Sequence, residues 1–403
     1  MSFELRIPWS TAPLLLLAVL CATAQALPRI EAEGKVRFYN IADSDFDRFT
    51  KAPSAARQVW MRKHYTRMQT YSPYFDQRLD WYPDAWVYKD SYAIKTHWPE
   101  YQAHPEWILR DAKGHALYIP WGCKHGQCPQ FAADVGNPAF RAHWIEQARK
   151  LIETGYRGIW IDDVNLAWRV SDGDGEFRQP IDPRTGQPMT LDTWQDNFAT
   201  FMEEIREALP GVEIAHNSIW YASSFDNPYV LRQIDAADYI NLERGATDPG
   251  LKGGNGRWSF RRFLQFIDLV HARGRSVILM DYGRTRAQRE YALAAWLLIS
   301  QGRDLLASNQ LKWTAPGFLW RGYELDLGKA RGPRQIWRGL IRRDFECGYA
   351  LLNEPDSRPV SITLPSDRRR FDAPARSRLH LKSAEAAVIV HDCRPADPEA
   401  AAE

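Results

Sequence analysis

The sequence lacks the features that mark several common protein classes. No apolar run reaches the roughly 20 residues that a membrane-spanning helix needs. The formal net charge is only +2, so neither nucleic acid nor an anionic membrane surface is indicated as a partner. The motifs G-x-S-x-G, H-E-x-x-H and H-x-x-x-H are absent, which argues against a serine hydrolase and against a metal-dependent polysaccharide deacetylase.

The first 26 residues have the pattern of a secretory signal peptide. Arg6 and the amino terminus are positively charged, residues 14–20 form a short apolar core, and Ala24-Gln25-Ala26 is an A-x-A cleavage site. The core is too short to span a bilayer. We therefore expect residues 1–26 to be removed and the mature protein to be periplasmic or secreted.

Cysteine is scarce, and Cys21 lies within the expected signal peptide. The four that remain are Cys123, Cys128, Cys347 and Cys393. An even number in an exported protein predicts disulfides, which we expect to be Cys123–Cys128 and Cys347–Cys393.

No metal or other cofactor is predicted. The cysteines have neither a second C-x-x-C nor a histidine pair beside them, as a zinc site would require. The acidic residues Asp172, Asp174 and Glu176 lack the ligand spacing of a twelve-residue calcium loop.

Short apolar or β-branched runs alternate with amphipathic stretches along most of the chain. Helical patterns cover residues 54–69, 138–154, 191–208, 259–272 and 285–301. The candidate strands are residues 36–42, 85–90, 130–134, 159–163, 212–217, 239–243, 276–281 and 304–308. Alternation of this kind predicts a parallel sheet, and eight strands predict closure into an α/β (β/α)₈ TIM barrel.

The pattern changes after about residue 345. Short strands divided by Pro, Ser, Asp and Arg follow, without helices between them. We predict a catalytic barrel over residues 27–344, a small antiparallel β-sandwich over residues 345–393, and a disordered tail over residues 394–403.

Many of the predicted barrel strands end in polar residues. These are Asn40, Asp90, Asp162-Asp163, His216-Asn217, Glu243, Asp281 and Asn309. All strand carboxyl ends of a (β/α)₈ barrel open on one face, so these side chains are expected to converge on one pocket. A single residue of this kind is usually a helix cap or an ion-pair partner, but seven strand ends together indicate a site.

Two carboxyl groups in such a pocket suit hydrolysis of a glycosidic bond. One attacks or activates water, while the other protonates the leaving oxygen. The best candidates are Asp162 or Asp163 at the fourth strand, with Glu243 at the sixth. Arg169 and Arg244 could supply a positive field that keeps an aspartate ionised.

Two segments carry a resemblance to known families. DVGNPAFRAHW (residues 134–144) and GYRGIWIDDVN (residues 155–165) resemble the D-x-x-N-P-x-x-R-x-x-W and G-x-W-x-D block of family-thirty-one α-glucosidases and related α-galactosidases. They are more similar still to a hypothetical family of barrel glycoside hydrolases. The resemblance implies that Asp162 is the nucleophile and that Glu243 is the acid/base, although the α-galactosidase clan usually has Asp at that second position.

Asp163 remains an alternative to Asp162. Neighbouring side chains of a strand point to opposite faces, so only one of the two should face the pocket. We favour Asp162 and expect Asp163 to contact it or a sugar hydroxyl.

Other strand-end and loop residues are candidates for substrate binding. Aromatics make up 13% of the chain, with 17 Trp, and exposed rings can stack on the apolar faces of sugars, although many must fill the core. We expect sugar contacts from Asp90, His216, Asn217, Asp281, Tyr282, Trp121, Trp168 and Trp220. The sequence thus predicts an exported glycoside hydrolase that acts on a poly- or oligosaccharide by a retaining mechanism, and the alternative is a non-catalytic barrel that binds glycans.

The export hypothesis predicts the amino terminus of the mature protein. Amino-terminal sequencing of secreted or periplasmic material should begin at Leu27, because cleavage follows Ala26 in the A-x-A site. Recovery of an intact Met1 terminus from the cytoplasm would contradict the hypothesis.

Overall fold

The computed structural model describes residues 33–124, 127–218, 223–374 and 376–393. The expected signal peptide, Trp220 and the expected tail therefore lie outside the described residues. Eight parallel strands close into a barrel, as the sequence predicts. In chain order they are β1 (Phe38–Ile41), β2 (Arg67–Thr70), β3 (Ala85–Asp90), β4 (Gly158–Asp162), β5 (Glu213–Asn217), β6 (Tyr239–Arg244), β7 (Ser276–Asp281) and β8 (Leu305–Ser308).

Two details of the strand prediction are corrected. Gln130–Ala132 is a strand, but it pairs antiparallel with Ala93–Lys95 outside the barrel. The second barrel strand is instead Arg67–Thr70, which the sequence places at the end of a helix. That helix ends at His64, and Arg67–Thr70 pairs with β1 and β3.

Side chains alternate between the barrel interior and the surrounding helices. In β4, Ile159 and Ile161 pack in the outer apolar layer, whereas Trp160 joins the interior cluster. Tyr39, Trp86 and Tyr239 belong to the same interior cluster, with Trp86 and Tyr239 ring centroids 5.0 Å apart. The barrel centre is therefore a packed aromatic layer beneath the mouth.

An ion pair closes the opposite end of this layer. Arg67 donates both Nε and Nη2 to the carboxylate of Glu213, each at 2.8 Å, and Trp86 Nε1 donates to the same group at 2.8 Å. Gly158 leaves room for them, because a Cβ there would lie 2.4 Å from the Glu213 carbonyl oxygen and 2.8 Å from the Trp86 ring.

Helices cover the barrel and begin at polar caps. The longer ones are α1 (Ala55–His64), α2 (Pro138–Glu153), α3 (Leu191–Ala208), α4 (Pro228–Ala236), α5 (Phe260–Ala272) and α6 (Arg286–Ile299), and short ones are Asp47–Thr50, Pro99–Ala103 and Leu311–Thr314. The caps of α1–α6 are Ser54, Asn137, Thr190, Asn227, Ser259 and Thr285. Each accepts a hydrogen bond from an amide of the first turn, which stabilises the helix start. None of the described helices is long and apolar enough to cross a bilayer.

Antiparallel sheets follow the barrel. One contains the strands Gln335–Trp337, Leu340–Phe345, Gly348–Leu352, Ala386–Val390 and Arg369–Arg370, and another pairs Val360–Thr363 with Arg378–Leu381. Leu351, Ile362 and Leu379 belong to one apolar cluster that joins the two sheets. The first sheet starts at Gln335, earlier than the predicted change of architecture near residue 345. A separate strand pair joins Glu33–Lys35 to Asp326–Lys329.

Both expected disulfides are present. Cys123 and Cys128 have Cα atoms 4.1 Å apart, and Cys347 and Cys393 have Cα atoms 5.0 Å apart. The second bridge ties Cys347, beside the strand Gly348–Leu352, to the far end of the described chain.

The two bridges should differ in their effect on stability. In the loop-entropy picture, a bridge between residues 46 positions apart contributes about 4 kcal/mol, and one between residues 5 positions apart contributes about 2 kcal/mol. The double substitution Cys347→Ser and Cys393→Ser should therefore lower the free energy of urea unfolding more than Cys123→Ser and Cys128→Ser. A larger loss from the short bridge would contradict this expectation.

Candidate functional site

Asp162 lies at the mouth of the barrel, two residues beyond Trp160 on the same face of β4. Its Oδ2 accepts a hydrogen bond from the Tyr88 hydroxyl at 2.8 Å. Its Oδ1 accepts from Asn217 Nδ2 at 2.7 Å and from the Asp163 amide at 2.8 Å. Burial and the charge of Asp162 raise the pKa of Tyr88, so the phenol remains a donor. Three donors thus hold this carboxylate in one orientation.

The amide of Asn217 joins Asp162 to Glu243. Its Nδ2 is 2.7 Å from Asp162 Oδ1 and 3.4 Å from Glu243 Oε2. The two oxygens therefore lie no more than about 6.1 Å apart, the sum of these two distances. Asn241 Nδ2 donates to Asn217 Oδ1 at 2.8 Å, which leaves the Asn217 nitrogen facing the carboxylates. Unlike Asp162, Glu243 is exposed.

The backbone is strained directly beside both carboxylates. Asp163 has φ 55° and Arg244 has φ 66°, in the left-handed region that favours glycine. Among the described residues of the barrel, these two non-glycine residues have a positive φ, and each directly follows one of the carboxylates, Asp162 and Glu243. Strained backbone clusters at functional sites, where surrounding structure holds it in place.

Asp163 and Asp90 complete a cluster of carboxyl groups. Burial and the charge of Asp162 raise the pKa of Asp163 to about 6. Burial and the charges of Asp163 and Asp162 raise the pKa of Asp90 well above its usual range. Asp90 Oδ1 accepts from the amides of Tyr92 and Ala93 at 2.9 and 2.8 Å, so it also closes the turn after β3. The site can therefore hold a proton near neutral pH.

A cavity of about 190 Å³ opens beside Asp163 and Glu243. Asp163, Asn217 and Glu243 line it together with Trp258 and Arg257. Trp258 is 46% exposed, and its ring offers a flat apolar surface beside the carboxyl groups. Trp258 is not among the sugar contacts predicted from the sequence; it lies two residues before α5, and no local pattern distinguishes it from the other tryptophans.

The D-x-x-N-P-x-x-R-x-x-W motif supports the site from outside the barrel. Asn137 caps α2, and Arg141 forms two hydrogen bonds with Glu204 at 2.7 and 2.9 Å. Trp144 Nε1 then donates to the Asp90 carbonyl at 2.7 Å. The motif therefore fixes α2 against the end of β3, and it contributes no atom to the cavity.

Expectations for His216 and Asp281 are corrected. Ala215 belongs to the interior cluster and Asn217 lies at the mouth, so His216 between them points outward. The His216 side chain is fully buried, and burial lowers its pKa to about 3. Asp281 likewise alternates with the interior Met280, is 1% exposed, and accepts from the Thr247 amide at 2.8 Å. Neither side chain reaches the cavity, because strand alternation turns both toward the helices.

The remaining predicted sugar contacts have mixed positions. Trp121 is 49% exposed, and its Nε1 donates to Asp163 Oδ1 at 3.3 Å. Asn165 Nδ2 donates to the same oxygen at 3.2 Å. Trp168 is half-buried against the outer apolar layer. The Tyr282 amide donates to Thr247 Oγ1 at 2.7 Å, so its backbone belongs to the turn that Asp281 holds.

Among the described residues, no group of three or more His, Cys, Asp or Glu side chains is arranged to hold a metal ion. The acidic groups at the mouth are instead paired with amide, phenol and indole donors.

The position of Asp281 predicts a pH effect on stability. Burial raises the pKa of the Asp281 carboxyl group to about 7. The protonated carboxyl group therefore contributes fully to the free energy of unfolding below the pKa of an unfolded aspartate, near 4, and this contribution is lost as the pH rises through 7. Asp281→Asn should remove roughly 2–4 kcal/mol of the fall in unfolding free energy between pH 4 and pH 8. Urea unfolding at several pH values measures this difference, with Asp174→Asn at an exposed loop position as control. An unchanged pH dependence in Asp281→Asn would contradict the assignment.

Comparison with solved structures finds several glycoside hydrolases. The isomalto-dextranase of Arthrobacter globiformis T6 complexed with panose has a TM-score of 0.50 at 13% identity, over 92% of this chain and 76% of that one. The glycoside hydrolase domain of PelA from Pseudomonas aeruginosa has a TM-score of 0.41 at 14% identity, over 68% and 94%. An α-galactosidase from Thermus thermophilus has a TM-score of 0.44 at 16% identity, over 79% and 66%.

At these identities the likeness to the isomalto-dextranase shows the fold alone. No curated protein matches the chain. A family model described as hypothetical glycosyl hydrolase family 15 matches residues 73–349, which is more than half of the chain and includes Asp162 and Glu243. The chain belongs to this family, and it is a glycoside hydrolase.

Proposed function

We propose that the protein is an exported, retaining glycoside hydrolase in which Asp162 is the nucleophile and Glu243 the general acid/base. The observation that carries the proposal is the Asn217 amide, which lies 2.7 Å from one carboxylate and 3.4 Å from the other. Carboxyl groups of retaining enzymes are about 5–5.5 Å apart, and those of inverting enzymes about 6.5–9.5 Å. The upper limit of about 6.1 Å on the Asp162–Glu243 oxygen distance favours the retaining arrangement.

Asp162 has the surroundings that a nucleophile needs. The hydrogen bonds from Tyr88, Asn217 and the Asp163 amide hold the carboxylate in one orientation. In the first step an oxygen of Asp162 would bond to the anomeric carbon as the bond from that carbon to the leaving oxygen breaks. The Tyr88 hydroxyl can remain on the other oxygen throughout.

Glu243 has the surroundings of a group that exchanges protons with the substrate. It is exposed and lines the cavity, so the leaving oxygen can approach it. Its proton would pass to that oxygen in the first step. The resulting carboxylate would then take a proton from water as the water attacks the anomeric carbon and releases Asp162.

Asp163 is proposed to bind and orient rather than to attack. Its hydrogen bonds with Trp121 and Asn165 place its carboxyl group at the cavity wall. Its pKa of about 6 also makes it the second candidate for the proton donor. Trp121 and Trp258 are proposed as surfaces on which sugar rings stack, and Asp90, Asn217 and Tyr282 as further polar contacts.

Export and the carboxyl-terminal architecture belong to the same proposal. Two disulfides suit an oxidising compartment, in agreement with the signal peptide expected over residues 1–26. The apolar cluster between the antiparallel sheets supports a β-sandwich packed beside the barrel, and the substrate would be a poly- or oligosaccharide.

The mechanism predicts different losses at the two carboxylates. On a substrate chosen from a panel of glycans and aryl glycosides, Asp162→Ala should lower kcat by more than about 1000-fold, because the covalent step has no substitute. Added azide should restore part of the turnover. Glu243→Gln should lower kcat by about 10²–10⁴-fold, and proton NMR of the first-formed sugar should find the anomeric configuration retained.

The controls separate chemistry from folding. Glu207→Gln changes an exposed glutamate of α3 and should leave kcat unchanged, and each variant should keep the parent's melting temperature. Full activity in Asp162→Ala with loss in Asp163→Ala would reverse the roles of the two aspartates. Full activity in Asp162→Ala, Asp163→Ala and Glu243→Gln would refute the carboxylate pair.

A further inference from the structure

A second cavity, away from the carboxylates, lies between the barrel and the antiparallel sheets. Its volume is about 300 Å³. Arg286, Arg370, Arg376, Arg378 and His380 line it, and none of the residues described in its lining is acidic. In a chain whose net charge is only +2, this concentration of guanidinium groups is local rather than a consequence of composition.

Two of these arginines carry charge that the protein does not neutralise. Arg370 pairs with Glu290 through two hydrogen bonds of 2.8 Å, and Arg286 lies 3.9 Å from the same carboxylate. By contrast, Arg376 and Arg378 form no ion pair with a carboxylate in the part of the chain that the structure describes. Both are exposed, so their guanidinium groups can reach a ligand.

The strand Arg378–Leu381 directs its polar side chains to one face. Leu379 and Leu381 are buried in the apolar cluster between the sheets, so the alternate residues Arg378 and His380 point away from it. His380 Nδ1 is within 2.8 Å of Ser361 Oγ, which restrains the ring beside Arg378. The cationic face is therefore built on a sheet rather than on a free loop.

The cavity lies at the same end of the barrel as the carboxylates. Arg286 is the first residue of α6, which follows the carboxyl end of β7 after a short turn. In a (β/α)₈ barrel the carboxyl ends of the strands and the beginnings of the following helices share one face. Arg286 and the two carboxylates are therefore at the same end of the barrel.

We propose that this arginine cavity binds an anionic group of a glycan, either a carboxylate of a uronic acid or a sulfate ester. Guanidinium groups match both groups by paired hydrogen bonds. The proposal takes the protein to be the glycoside hydrolase described above, but it requires no particular catalytic residue. It implies that the natural substrate is acidic and is held at a second point beyond the bond that is cleaved.

Binding to defined polymers tests the proposal without measuring hydrolysis. The mature protein is compared with R376Q/R378Q by native electrophoresis in gels that contain polygalacturonate, dextran sulfate, neutral dextran or duplex DNA, at about 0.1 M salt where distant charges are screened. The parent should be retarded by polygalacturonate or dextran sulfate and not by dextran. The double variant should bind the retarding polymer at least tenfold more weakly.

The matched control is K63Q/K113Q, which removes the same number of charges at exposed lysines outside the cavity. It should bind within twofold of the parent. The polymer that binds more tightly identifies carboxylate or sulfate as the group recognised. Three results would overturn the proposal. Both double variants could bind the polymer equally weakly, or neither acidic polysaccharide could retard the parent. The third is DNA binding as tight as that of the polysaccharide and lost in R376Q/R378Q.

Discussion

The arrangement of the site depends on one side-chain amide. Asn217 can donate to Asp162 and Glu243 because its carbonyl oxygen is already occupied by Asn241, 2.8 Å away. Asn241 is fully buried and lies directly across from Asn217 in the register of β5 and β6. The orientation of an amide is assigned from such a network, and here the Asp162 carboxylate accepts from Asn217, so the nitrogen of Asn217 must be the atom that faces it.

The aromatic layer beneath the mouth makes these hydrogen bonds effective. Trp86, Trp160 and Tyr239 belong to the buried cluster of the barrel centre, so apolar side chains rather than water lie beneath the carboxyl groups. In such surroundings a charge is poorly solvated and depends on nearby donors. Burial in these surroundings, together with the charge of Asp162, raises the pKa of Asp163 to about 6.

The barrel and the strand ends that carry the carboxylates could be predicted from the sequence, because apolar runs that end in Asp or Glu are a strong local signal. Strand Arg67–Thr70 could not, because RMQT has little β-branched or apolar character and barrel closure alone requires it. The error at His216 came from treating every strand-end residue as inward. Counting alternate positions from Trp160 or Ala215 would have excluded it, and the same count along β3 from Trp86 would have found Tyr88.

The two neighbouring aspartates illustrate why a strand end can supply two functions. Asp162 keeps the strand conformation and points inward, while Asp163 adopts φ 55° and begins the following loop. The change of conformation lets both carboxyl groups reach the mouth, although side chains of a regular strand would point to opposite faces. Aspartate tolerates left-handed backbone better than most residues. Substitution of Asp163 by a β-branched residue would therefore alter the backbone as well as the charge, whereas asparagine would remove the charge and keep the turn.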